Sequence, residues 1–267
     1  MANALIELEN ILVCYRKKRV LGPLTLNINR GDFWGIVGPN GAGKTTLMRI
    51  IAGLESITEG RGSIFGNYIG PSLKCSQIVI RKKIGILLQH HEYYPDSPFT
   101  VEDVVLFGRA GLPGLGRCYR SIDYEIVNTV LKELNLENFR TRLYRELSGG
   151  EQRKVQLARL LAQESELILL DEPTAGLDMD WQERLTLLVD ELYSNYGKTV
   201  VMISHDVDRL PVSCNNVLLI HNGHVHEQGT PSEVFTSSFL SHLYGCTIEV
   251  TEHHGRYHAY SVGLKEQ

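Results

Sequence analysis

The chain has 267 residues, 43% of them hydrophobic, a length that supports one sizeable core plus a small inserted unit. Its 27 basic and 31 acidic residues are scattered and give a formal net charge of −4, so no nucleic-acid partner is expected. The first ten residues lack a cationic start followed by an apolar block, and no later run approaches the ~20 apolar residues of a spanning helix; a cytoplasmic chain is expected, reaching a membrane only through a partner.

Residues 5–15 and 24–29 alternate as strands do, with Leu24, Leu26 and Ile28 on one face and Thr25, Asn27 and Asn29 on the other, which predicts an antiparallel edge sheet. The apolar run Phe33-Trp34-Gly35-Ile36-Val37 predicts a strand, residues 45–54 a helix, and residues 60–65 and 83–88 two further strands. From residue 95 to 162 the texture becomes helical. Thr100 introduces a helix over 101–109, Ser121 introduces one over 122–134, and Gly111-Leu112-Pro113-Gly114 separates them. Short apolar runs at 167–170 and 199–203, separated by a helical pattern over 181–193, read as buried parallel strands joined by a crossover. The expected fold is therefore α/β: a parallel-sheet core, an N-terminal antiparallel β subdomain and an inserted α-helical subdomain. There is no internal repeat, heptad run or low-complexity segment.

Directly after the Phe33 strand comes Gly38-Pro39-Asn40-Gly41-Ala42-Gly43-Lys44-Thr45-Thr46. Glycines let the backbone curl so that successive amides point at phosphate oxygens, and the following helix adds the positive end of its dipole. Lys44 is expected to reach the β and γ phosphates of a nucleoside triphosphate, and the Thr45 hydroxyl to take one position on Mg2+.

Asp171 and Glu172 close the run Leu167-Ile168-Leu169-Leu170, placing two carboxylates at the carboxyl end of a buried strand, where ligands sit in open parallel sheets. Asp171 suits the magnesium side, and Glu172 suits a general base on a water in line with the γ phosphorus. His205 follows Val200-Val201-Met202-Ile203-Ser204 and can donate to a γ-phosphate oxygen. Gln89, after another strand, can hold Mg2+ or the attacking water through its amide. Leu147-Ser148-Gly149-Gly150-Glu151 opens a helix over 152–163 with the spacing of a capping box. The cap explains Ser148 and Glu151 but leaves Gly149 and Gly150 to be explained by close approach of a phosphate, a second anion site. One chain does not easily bring this site onto a phosphate held at Lys44; two chains arranged head to tail do.

The ordered set GPNGAGKT, Gln89, LSGGE, LILLDEP, Gly176-Leu177-Asp178 and His205 resembles the ATP-binding cassette ATPases over nearly the whole chain. The resemblance implies a P-loop NTPase (RecA-like) core, with residues 1–92 and 163–240 as the catalytic part and its antiparallel β subdomain, 93–162 as the helical signature subdomain, and 241–267 as a C-terminal extension. It implies a homodimer that sandwiches two ATP molecules with Mg2+, each between the phosphate loop of one copy and Ser148, Gly149, Gly150 and Glu151 of the other. By the same resemblance Tyr15 stacks on adenine and Asp178 links the two sites. Residues 99–109 and the tail stretch Leu243-Tyr244-Gly245-Cys246-Thr247-Ile248-Glu249-Val250 are similar to ATPases of importers for iron-siderophore, haem and cobalamin chelates, or a related oxyanion or metal. That similarity implies two transmembrane permease subunits, each inserting a short helix into a groove lined by residues 90–107, and indirectly a substrate-binding protein. A soluble cytoplasmic assembly factor, as in iron-sulfur cluster assembly, and an exporter subunit remain alternatives.

Two histidine groups stand apart from this pattern. His221, His224 and His226 flank an Asn-Gly that suggests a two-residue hairpin with all three on one face. His253, His254 and His258 form the second group; a solvated face is the expectation for both. Cys14, Cys75, Cys118, Cys214 and Cys246 contain no C-x-x-C pair and indicate reduced thiols.

Overall fold

The computed structural model describes residues 4–16, 18–71, 76–88, 98–110 and 118–264. Its strands are β1 (Ala4–Tyr15), β2 (Lys18–Asn29), β3 (Phe33–Val37), β4 (Glu59–Ile64), β5 (Asn67–Ile69), β6 (Ile84–Leu87), β7 (Leu167–Asp171), β8 (Thr199–Ser204), β9 (Asn216–His221), β10 (His224–Gly229), β11 (Cys246–His253) and β12 (Arg256–Leu264). Its helices are α1 (Lys44–Ile51), α2 (Ser76–Lys82), α3 (Val101–Leu106), α4 (Ser121–Glu133), α5 (Gly149–Ala162), α6 (Met179–Tyr196), α7 (Pro231–Val234) and α8 (Ser237–Tyr244).

A six-stranded sheet runs in the order β10-β9-β3-β8-β7-β6, parallel throughout except for β10, which folds back antiparallel on β9. Strands β3, β7 and β8 are buried along their whole length, which is why they read as unbroken apolar runs. Their residues alternate between two layers. Trp34, Ile36, Leu167, Leu169, Val201 and Ile203 face one cluster, shared with Leu47, Ile50 and Ile51 of α1 and with Ile6, Leu8, Leu24 and Leu26 of the antiparallel sheet. Phe33, Val37, Ile168, Leu170, Val200 and Met202 face the other, shared with Leu157 and Leu160 of α5, Leu185 and Val189 of α6, and Leu240 and Leu243 of α8. Each fully buried Leu or Ile in these layers contributes about 1.5–3 kcal/mol of transfer free energy, so the sheet is the rigid frame.

The antiparallel sheet has the order β2-β1-β4-β5. Its second strand begins at Lys18 rather than at residue 24, because β1 and β2 stay paired from Ala4↔Asn29 to Tyr15↔Lys18 through several register shifts. Those shifts and the Gly22-Pro23 step interrupt the alternation that marks a strand in sequence. A third cluster joins Val101, Val104 and Val105 of α3, Val127 and Leu131 of α4, and Val155, Ala158 and Leu161 of α5. Helix α5 thus packs one side on the sheet and the other on the helical cluster. Buried Arg109 fastens that cluster, pairing with Asp123 at 3.0 Å and Glu164 at 2.7 Å and donating to the Ala162 carbonyl. The tail turns at Gly245, whose φ of 72° ends α8, and β11 and β12 close it as an antiparallel hairpin.

Candidate active site

The carboxyl ends of β3, β7 and β8 open onto one cleft of about 620 Å3, within the range of small-molecule sites. Asn40 to Thr46, Glu172, Thr174, Gly176, Ser204 and His205 line it, together with Val20 and Arg209.

The loop after β3 folds as its glycines dictate. Gly41 (φ 77°) and Gly43 (φ 106°) take left-handed conformations, and a Cβ on Gly38 would lie 2.1 Å from the Ile220 carbonyl oxygen of β9. Lys44 opens α1, is 5% exposed, and donates to the carbonyls of Gly38 (2.6 Å) and Pro39 (3.0 Å). Burial lowers its pKa, opposed by the nearby carboxylates of Glu172 and Asp171. Asp171 is 8% exposed, and burial, reinforced by Glu172, raises its carboxyl above the ordinary value. A buried cation in the glycine loop thus has a buried acid in electrostatic reach, a set of groups that fits a triphosphate with a hard divalent cation.

Glu172 leaves β7 in a left-handed conformation (φ 44°) while its N–H donates to the Ile203 carbonyl of β8 at 3.1 Å. This bend brings the Glu172 carboxylate to 3.3 Å from His205 Nδ1. The His205 ring remains 53% exposed toward the cleft. Gln89 lies outside the described residues, as do residues 90–97 of the expected groove.

Gly38, Pro39 and Asp171 are not themselves among the lining residues, and three further sequence-derived positions stand away from the cleft. Tyr15 is 44% exposed and its hydroxyl donates to Glu55 at 2.8 Å. Asp178 caps α6 by accepting from the Trp181 N–H at 2.9 Å. The 148–151 turn begins α5 at Gly149, three residues before the helix expected from residue 152. Its capping box is complete: the Ser148 hydroxyl accepts from the Glu151 N–H, and the Glu151 carboxylate accepts from the Ser148 N–H at 2.7 Å. The two glycines have different reasons. Gly149 has nothing within 4 Å of where a Cβ would sit, whereas a Cβ on Gly150 would lie 2.2 Å from the Trp181 ring. Within one chain, packing against Trp181 already requires a glycine at position 150.

Sequence reading also passed over Arg153. Buried on α5, it donates to the carbonyls of Pro173 (2.7 Å), Leu88 (2.7 Å) and Glu172 (3.3 Å), tying the signature helix to the ends of β6 and β7. A charged residue one turn inside a helix carries no visible signal of such contacts. The histidine hairpin has the expected type, with His221 opposite His224 and positive φ at Asn222 (48°) and Gly223 (78°). At a register shift between Val225 and Glu227, His226 stacks on His242 at 5.0 Å. Among the described residues, no group of three or more His, Cys, Asp or Glu side chains is arranged to hold a metal ion.

A strand, glycine loop and helix over a buried lysine, with an acid pair ending a parallel strand beside it, define a P-loop nucleoside triphosphatase. The family model described as ABC transporter matches residues 21–175. The manganese transport system ATP-binding protein MntB of Halalkalibacterium halodurans is 34% identical over 243 residues, covering 91% of this chain and 92% of that protein. A structure described as a metal-chelate type ABC transporter in an inward-facing conformation superposes with a TM-score of 0.80 at 26% identity, covering 98% of both chains. A dimeric ATP-binding cassette in a post-hydrolysis state bound to ADP and Pi superposes with a TM-score of 0.69 at 29% identity, covering 84% of this chain and 98% of that one. The chain belongs to the ATP-binding cassette transporter family, as an ATP-binding and ATP-hydrolysing subunit. Among the described residues no helix is long and apolar enough to cross a membrane.

Proposed function

We propose that this chain powers import of a metal chelate, such as an iron-siderophore, haem or cobalamin. Two copies would act together on two permease subunits at the inner face of the cell membrane, supplied by a substrate-binding protein. The metal-chelate and manganese systems among its relatives support the cargo class.

In this reading Lys44 and the loop of residues 38–46, through its backbone N–H groups (Pro39 has none), bind the triphosphate, and Thr45, Asp171 and Gln89 would hold Mg2+. When bound there, Mg2+ would supply neutralisation of charge on the phosphate oxygens. Glu172 takes the proton of the attacking water, His205 donates to a γ-phosphate oxygen, and Tyr15 stacks on adenine. Ser148, Gly149, Gly150 and Glu151 close over the nucleotide of the partner copy, and Asp178 links the two sites. The observation that supports a shared site is the dimeric ATP-binding cassette among its structural relatives, beside a capped, glycine-bearing start of α5 that lies off the cleft lining. The cleft bounded by Ile78, Lys82, Ile86, Phe107, Arg159 and Gln163, about 470 Å3, lies between the sheet edge and the helical cluster and suits a permease helix.

Affinity purification of the chain from its native membrane tests the assignment. Recovery with a polytopic membrane protein is expected; recovery only in a soluble complex contradicts it.

A further inference from the structure

Strand β8 stops at Ser204, so His205 sits on an irregular loop that passes into one 3-10 turn over Val207–Arg209. On such a loop the direction of an imidazole depends on what fixes the backbone around it. Part of the answer is internal: the Ser204 hydroxyl donates to the Asp206 carbonyl at 2.6 Å, and the Asp208 N–H donates to the Asp206 carboxylate at 3.1 Å. The rest comes from the C-terminal extension. The Tyr244 hydroxyl donates to the His205 carbonyl at 2.9 Å. From β12, the Ala259 N–H donates to the Asp208 carboxylate at 2.9 Å, and His258 Nδ1 lies 3.4 Å from its other oxygen.

These contacts come from a rigid element. Tyr244 is the last residue of α8, and the left-handed Gly245 turns the chain away immediately after it. Leu240 and Leu243 seat α8 in the cluster that also holds Val200 and Met202 of β8, so the phenol and the loop it touches belong to one packed unit. Burial pushes the Tyr244 phenol up to about 12, which keeps it a donor across the physiological range. The ring fills space that phenylalanine would fill equally. The hydroxyl, by contrast, meets a backbone carbonyl that water would otherwise serve, so its effect is on direction more than on stability.

We propose that Tyr244 is a positioning residue for ATP hydrolysis: by holding the His205 carbonyl it sets the angle at which the His205 side chain meets the terminal phosphate. This rests on the assignment of His205 above. The extension beyond residue 240 is then part of the catalytic apparatus rather than added packing.

The test is steady-state ATPase kinetics of the full-length chain carrying Tyr244→Phe, His205→Ala, or both. Tyr244→Phe is expected to lower kcat by about three- to tenfold with KM for ATP unchanged, the size of one misdirected hydrogen bond. Its melting temperature should stay within about 2 °C of the parent. In the double variant kcat should equal that of His205→Ala alone, because the hydroxyl acts only through His205. Parental kcat in Tyr244→Phe beside an impaired His205→Ala, or losses that multiply in the double variant, would overturn the proposal alone. Parental kcat in His205→Ala would remove the assignment of His205 and this proposal with it.

Discussion

The Glu172 carboxylate lies 3.3 Å from His205 Nδ1, joining the residues that follow two adjacent parallel strands. The contact depends on Glu172 leaving β7 with a φ of 44°, a conformation that non-glycine residues seldom adopt and that stores strain. Asparagine tolerates that region better than glutamate does. Glu172→Asn is therefore expected to raise stability by about 0.5–1 kcal/mol while abolishing turnover. Urea denaturation and an ATPase assay on the same preparation check both halves.

Asp171 follows the same logic through charge. Its raised carboxyl means that the folded chain holds a proton there more tightly than the unfolded chain does. Without nucleotide the fold thus gains stability as pH falls through the folded-state pKa toward the unfolded value of about 3.9, and above that window it carries the full penalty of the ionised buried acid. Asp171→Asn should remove this penalty, raising nucleotide-free stability at pH 7 by about 1 kcal/mol. It should also erase the extra thermal shift that Mg2+ adds to ATP. Differential scanning fluorimetry with ATP, with and without Mg2+, reads both effects.

Trp181 connects the signature turn to Asp178. It lies against Gly150, and Asp178 caps the helix on which it sits. Gly150→Ala puts a methyl group 2.2 Å from the ring and should destabilise the chain by about 1–3 kcal/mol. The ring must move, and since the chain has 2 tryptophans, with Trp34 buried in the sheet, a red shift in emission would report Trp181. Adding Trp181→Ala should restore most of the lost stability.

The parallel core was legible because β3, β7 and β8 are buried on both faces, and complete burial leaves a continuous apolar run that needs no context. Lys44, Asp171, Glu172 and His205 were legible for a related reason: local sequence fixes each at a strand or helix end, and the sheet brings those ends together. The contacts that depend on long-range packing were not. Arg153 reaching three carbonyls, Trp181 covering Gly150 and Tyr244 touching His205 each join segments separated by 19 residues or more, and no local spacing encodes such meetings. The stacking of His226 on His242 was not legible either, because a bulge leaves no mark in hydrophobic periodicity.

Arg153 supplies a prediction of its own. Replacing it with methionine keeps most of the volume but strips partners from the carbonyls of Leu88, Glu172 and Pro173. Loss of these charge-assisted hydrogen bonds, one of them buried, makes Arg153→Met less stable by about 1–3 kcal/mol, seen as a lower urea midpoint with an unchanged slope. Lysine, a point donor without the planar fork, should recover little of the loss.

The central claim is that each catalytic centre is built from two copies of the chain, with Glu172 as the base. Glu172→Gln keeps the shape of the side chain but accepts no proton, and its turnover should fall by about 10²- to 10⁴-fold. The decisive measurement is the molar mass of Glu172→Gln by light scattering, with and without saturating Mg-ATP. Conversion from monomer to dimer on adding Mg-ATP is the result expected; a chain that stays monomeric at high concentration, or that still hydrolyses ATP at the parental rate, would contradict the account.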